Sequence, residues 1–168
     1  HFRVFDLVLN SALLRSARDM AVLAANLGLD DGTYWQGQID TLSAGIAKLW
    51  SAEDGAFLHM NARTGELLAP VTNASFLPLY AGAATQAQAD SLAQTYKEWR
   101  EICPYGVPTT DPRADVFEMK RYWRGPIWIN TNWMIAEGFA AYGYEDIAAE
   151  IKADSLALIA KHGFYEYF

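Results

Sequence analysis

Tyr122-Trp123-Arg124-Gly125-Pro126-Ile127-Trp128-Ile129-Asn130 is the stretch on which the fold of this 168-residue chain turns. It sets three aromatic side chains and one guanidinium around a Gly-Pro pair, at the head of an apolar helical pattern. Pro126 suits the first helical position, where its missing N–H is not needed, and Gly125 permits a tight backbone approach before it. Tyr122, Trp123 and Trp128 would then stand at the mouth of a helix, a flat apolar surface of the kind that stacks on a sugar ring. Arg124 adds a five-donor fork suited to a carboxylate or vicinal hydroxyls. Glu166 follows 36 residues after Asn130, in Gly163-Phe164-Tyr165-Glu166-Tyr167-Phe168. A carboxylate among aromatics is a place where a general base with a tuned pKa is found, and the flanking rings are expected to keep Glu166 from solvent. The competing reading puts the tryptophans in the core and pairs Arg124 with a structural acid.

Outward from that stretch the pattern is helical. Leu7, Leu9, Leu13, Leu14, Ala17, Met20, Ala24 and Leu27 recur at helical steps, predicting a helix over 5–27 with Gly28 as its stop. Trp35, Ile39, Leu42, Ile46 and Leu49 predict a second over 33–50, joined to the first by the turn Leu29-Asp30-Asp31-Gly32. Residues 51–71 lose the period. Turn signals at Asp54-Gly55 and Thr64-Gly65 there predict a small β-hairpin excursion. A short helix over 73–80 follows. Thr85 with Gln88 is a capping-box pattern opening a helix over 86–100, with Leu92, Tyr96 and Trp99 on one side. Residues 101–125 read as a long structured loop, and two helices, 126–142 and 144–162, close the chain on Gly163. The fold class is all-α: helix pairs recurring at about 45–50 residues, the pattern of a solenoid or a toroid.

Composition narrows the function classes. The chain is 52% hydrophobic and 14% aromatic with a net charge of −7, which excludes disorder and argues against a nucleic-acid partner. No apolar run approaches the length of a membrane span. The single cysteine, Cys103, cannot form an internal disulfide and reads as a buried structural thiol, so a cytoplasmic protein is expected. His1, His59 and His162 show no ligand spacing, and neither Asp30-Asp31 nor Glu53-Asp54 fits a calcium loop, so no metal is expected. No phosphate loop is present, so no nucleotide cofactor is expected either. Asp6, Asp111, Asp115 and Glu118 are further acids in aromatic or loop contexts. Asp19 reads as an interhelix polar contact and Glu137 as a solvated or ion-paired group.

The block 122–128 with Gly-Phe-x-Glu-Tyr-Phe at 163–168 resembles the catalytic domain of glycoside hydrolase family 63, and more loosely the trehalases. Within that family it is most similar to compact bacterial enzymes acting on glucosylglycerate or mannosylglycerate. Phe2-Arg3-Val4-Phe5-Asp6, Ala74 to Gly82 and Gly106-Val107-Pro108-Thr109 extend the resemblance along the chain. It implies one (α/α)6 toroid, of which residues 1–168 would be the C-terminal part without the N-terminal half and the last helix. It also implies an inverting α-glycosidase with Glu166 as its base and Tyr122, Trp123, Arg124, Gly125 and Trp128 around a small carbohydrate substrate. The general acid has no matching position here. The chain alone is therefore expected to be inactive, and to meet either the rest of its domain or other copies of itself. The other function class left open is a non-catalytic α/α carbohydrate-binding or scaffold protein.

Overall fold

The computed structural model of the chain describes residues 3–29 and 32–168. Asp30 and Asp31 of the expected turn, and Phe2 of the opening motif, lie outside the described residues. Helix α1 (Leu7–Asn26) starts where Asp6 Oδ1 accepts the Leu9 N–H at 2.8 Å, and Gly28, at φ +67°, ends it. Leu7, Ser11, Leu14, Ala17 and Ala24 form its buried stripe. Half of the periodic residues, Leu9, Leu13, Met20 and Leu27, are instead exposed, so α1 carries a second apolar face.

Helix α2 (Gly32–Ala47) stops three residues before the expected Trp50. Trp50–Ser51 is strand β2, paired antiparallel with β3 (Ala56–Phe57), and the Leu58 N–H bonds the Leu49 carbonyl at 2.8 Å. The expected hairpin is thus present, and a second sheet accompanies it. In that sheet β1 (Val4–Phe5), β4 (His59–Asn61) and β5 (Leu67–Leu68) lie antiparallel in the order β1-β4-β5. Residue 5 therefore belongs to a strand rather than to the helix.

Asn73–Phe76 forms a 3-10 turn that runs into α3 (Leu77–Ala81). The Thr85–Gln88 capping box opens α4 (Gln86–Ile102) as expected, and Leu92, Tyr96 and Trp99 are its buried side. Helices α5 (Ile129–Ala141) and α6 (Glu145–His162) form the last pair, with Gly163 at φ +90° after α6. Glu137 pairs with Lys152 across them at 2.8 Å.

Helices α1, α3 and α5 pack on one another in succession, while α2 lies against α1 and α6 against α5. Helix α4 backs the middle pair through Trp99 on Phe76 (5.4 Å) and Tyr96 on Phe139 (5.8 Å). This is a two-layered arc of α/α pairs. Gly138 makes the inner layer possible: a Cβ there would sit 2.7 Å from the Tyr80 amide nitrogen, so α5 and α3 meet backbone to backbone.

Each inner helix is entered by an extended segment, and these segments bond to one another. The Asp111 N–H reaches the Val71 carbonyl (3.0 Å), and the Asn73 N–H the Thr109 carbonyl (3.2 Å). The Thr109 N–H reaches the Pro126 carbonyl (3.2 Å), and Ile127 exchanges two bonds with Phe168 (2.8 and 2.9 Å). Pro126 is thereby corrected: it lies in such a segment, three residues before α5 begins, and Trp128 is the N-cap. A proline fits because its extended position asks only for a carbonyl acceptor.

Candidate active site

The ladder of entry segments collects the sequence-predicted site on one face. Trp128, 6% exposed, is the floor. Trp123 stacks on it with ring centroids 4.2 Å apart and planes 10° from parallel. Tyr167 flanks Trp128 at 5.4 Å and 29°, and Tyr122 meets it edge-on at 5.0 Å and 79°. Tyr122 and Trp123 are about half exposed. The group is therefore an aromatic platform with one buried ring and an open upper side, and neither plain core nor plain surface describes it.

Local backbone geometry holds the platform. Tyr122 has φ +30°, a left-handed conformation that costs an aromatic residue on the order of 1–3 kcal/mol. The Trp128 indole N–H donates to the Tyr122 carbonyl at 3.0 Å, and the Thr110 hydroxyl donates to the Trp123 carbonyl at 3.2 Å. Gly125 is required where it stands: a Cβ would come within 2.2 Å of the Glu118 carbonyl oxygen. Arg124 donates to the Glu118 carboxylate, and the Glu118 N–H bonds the Arg124 carbonyl at 2.8 Å, so residues 118–124 close on themselves. The guanidinium is thus half-buried and ion-paired, as the structural reading of Arg124 requires, with donors left beyond the one given to Glu118.

Glu166 comes to the platform's edge, where its Oε1 accepts the Tyr122 hydroxyl at 3.0 Å. That bond raises the Tyr122 phenol above the ordinary tyrosine range, since ionisation would set two anions against each other. The expectation that aromatic neighbours shield Glu166 is corrected. Phe164 and Tyr165 turn outward, 94% and 66% exposed, and Glu166 itself is exposed in this chain.

The other acids are mostly engaged. Asp111 is gripped by Arg113 (2.8 Å), Glu118 by Arg124 and Arg121, and Asp19 by Arg15 one turn away on its own helix. Asp115 is exposed. Asp6 caps α1 and stands 3.3 Å from His59 Nδ1, which accepts the Leu7 N–H at 3.2 Å. Burial lowers the His59 pKa and the Asp6 charge opposes that, so the ring is held neutral as an acceptor. Cys103 is half-buried, and burial raises its thiol pKa. Sequence reasoning missed His59, whose spacing carried no signal, and valued Tyr167 only as a neighbour of Glu166.

A helix-pair arc whose entry segments present stacked aromatics beside a carboxylate is the architecture of a toroidal glycoside hydrolase domain. The likeness to a neutral trehalase from Saccharomyces cerevisiae shows that fold at 20% identity, with a TM-score of 0.80 over 98% of this chain. Residues 1–168 match the profile of the mannosylglycerate hydrolase MGH1-like glycoside hydrolase domain, and the chain belongs to that family. It is 43% identical to a mannosylglycerate hydrolase of Thermus thermophilus over 99% of this chain and 40% of that protein's length. It is 37% identical to a mannosylglycerate hydrolase of Selaginella moellendorffii over 99% of this chain and 34% of that one. The crystal structure of the Thermus thermophilus enzyme with Tris and D-glycerate superposes with a TM-score of 0.95, at 43% identity, over 98% of this chain and 40% of that chain. The fold is part of an (α/α)6 toroid, and the chain spans about 40% or less of these relatives.

Proposed function

We propose that this chain is the base-bearing, sugar-stacking part of an inverting α-glycosidase that hydrolyses mannosylglycerate or glucosylglycerate. The observation that carries the reading is the Tyr122 hydroxyl on Glu166 beside the Trp123–Trp128 stack. A donor on one carboxylate oxygen leaves the other free to take a proton from a water poised over a sugar that lies on the rings. Inversion needs a second carboxyl group roughly 6.5–9.5 Å away to protonate the leaving oxygen. With Asp111 and Glu118 held by arginines and Asp6 capping a helix, that acid is assigned to a part of the domain that this chain does not span. Arg124 keeps donors for substrate hydroxyls or a glycerate carboxylate on the polar side of the rings. We place the enzyme in the cytoplasm, in keeping with the unpaired thiol of Cys103.

The test is the full-length protein carrying Glu166→Gln, which keeps shape and removes basicity. Its kcat for release of mannose or glucose from the glycosylglycerates should fall on the order of 10²–10⁴-fold, with substrate binding little changed. A variant turning over at more than half the unsubstituted rate would remove Glu166 from the role and leave a carbohydrate-binding protein as the better description.

A further inference from the structure

One buried side chain ties the aromatic platform to the scaffold. Asn132, in the first turn of α5, is fully buried and has every polar atom engaged. Its Oδ1 accepts the Val107 N–H at 2.7 Å, and its Nδ2 donates to the Val107 carbonyl and to the Trp128 carbonyl, each at 3.0 Å. Val107 and Trp128 are the two ends of the loop that carries Tyr122 and Trp123. A single amide group therefore bonds both ends of the platform's loop.

We infer that Asn132 is the positioning residue that sets the pose of the Trp123–Trp128 stack, and through it substrate affinity, which rests on the proposed sugar-binding role of those rings. The chemistry at Val107 is selective. Both the N–H and the C=O of one residue are satisfied by one side chain, which requires an acceptor and a donor side by side at the reach of asparagine. Aspartate would set an oxygen against two carbonyls, and leucine would leave Val107 with buried unpaired groups. The neighbouring residue is held from the opposite side, where the Gly106 N–H donates to Asp154 Oδ2 at 2.9 Å. Space is equally restricted: a Cβ on Gly106 would lie 2.6 Å from Asn132 Oδ1.

The lesion expected on losing the amide lies at the Val107 end. The Trp128 carbonyl would still accept the Thr131 hydroxyl at 2.9 Å and the Asn132 backbone N–H at 3.0 Å, so α5 keeps its first turn. Val107 would lose both partners. The loop would then shift at one end only, shearing Trp123 across a Trp128 that stays in place, without unravelling the helix.

The experiment uses the full-length protein with Asn132→Ala and Asn132→Asp, and with Leu92→Ala as a control from the buried face of α4. The stack is read as the tryptophan exciton couplet in circular dichroism, defined as the difference from Trp123→Phe, beside Tm and the kinetics of glycosylglycerate hydrolysis. In the Asn132 variants the couplet should fall about twofold or more, and KM should rise about tenfold with a smaller change in kcat. Leu92→Ala should lower Tm while leaving couplet and KM within about twofold. The inference is overturned if a folded Asn132 variant keeps both couplet and KM, if KM holds while the couplet is lost, or if Leu92→Ala reproduces the effect. Should neither Asn132 variant fold, hydrogen exchange on the unsubstituted protein decides. A Val107 amide as slow as those inside α5 supports the staple, and one exchanging at open-loop rates overturns it. A full-length protein that cleaves no glycosylglycerate would sink the proposed substrate, while the couplet still decides whether Asn132 positions the stack.

Discussion

Replacing Gly125 by alanine adds one methyl group at the point where the loop crosses itself. The built Cβ falls 2.2 Å from the Glu118 oxygen, 2.7 Å from the Glu118 carbonyl carbon and 2.7 Å from Met119 Cα. All three are backbone atoms, so no rotamer change relieves the clash, and one strand of the crossing must move by roughly 1 Å to reach ordinary contact. Overpacking of this kind costs about 1–3 kcal/mol. The displacement falls on Arg124 and Trp123, since the Glu118 N–H to Arg124 carbonyl bond and the Thr110 to Trp123 bond span the same crossing. A misplacement of about 1 Å in a group that orients substrate can cost on the order of 10² in rate. The expected outcome in the full-length enzyme is therefore a modest drop in urea midpoint beside a much larger drop in kcat/KM for mannosylglycerate. Parallel crystallography should show Trp123 off its stack. A Gly125→Ala enzyme with kcat/KM within about threefold of the unsubstituted one, at any stability, would refute the claim that this crossing sets the platform.

Two further predictions concern stability. His59 is buried with a folded pKa below its unfolded value, so the unfolded chain binds more protons between the two. Its contribution is complete above about pH 6.5 and is lost as pH falls through that window; His59→Asn, which can still accept the Leu7 N–H, should flatten that part of a stability-versus-pH curve. A slope unchanged by the substitution would assign the titration elsewhere. Thr85→Ala removes a cap whose Oγ1 accepts the Gln88 N–H while Gln88 returns a bond to the Thr85 N–H, and should cost about 1 kcal/mol in urea unfolding without altering sugar hydrolysis.

Local signals were the ones legible in the sequence. The Thr85–Gln88 box is complete within four residues, and the stop at Gly28 needs only a left-handed φ, so both stand where expected. Trp50 was misassigned because Ile46 and Leu49 keep a helical step. The Leu49 carbonyl is taken by Leu58, and only the tertiary fold supplies that partner. Pro126 failed as a helix start for a related reason, because its carbonyl is claimed by Thr109 from a distant segment. The aromatics of the site announced themselves by type. Asn132 did not, since a buried asparagine and a solvated one look alike in a helix, and its partner Val107 is 25 residues away. The second apolar face of α1 was read together with the first, because periodicity reports spacing and not what lies opposite.

The entry segments are joined by main-chain bonds from Val71 through Asp111, Thr109 and Pro126 to Ile127 and Phe168. Such bonds are indifferent to side-chain identity except at proline. The rim of the site can therefore exchange residues at its outward positions while its frame stays in register. Changes in aglycone preference along this lineage would then be reached by single surface substitutions with little loss of folding stability. The costly positions are Gly125, Asn132 and Gly138, where the backbones or the staple leave no room for drift.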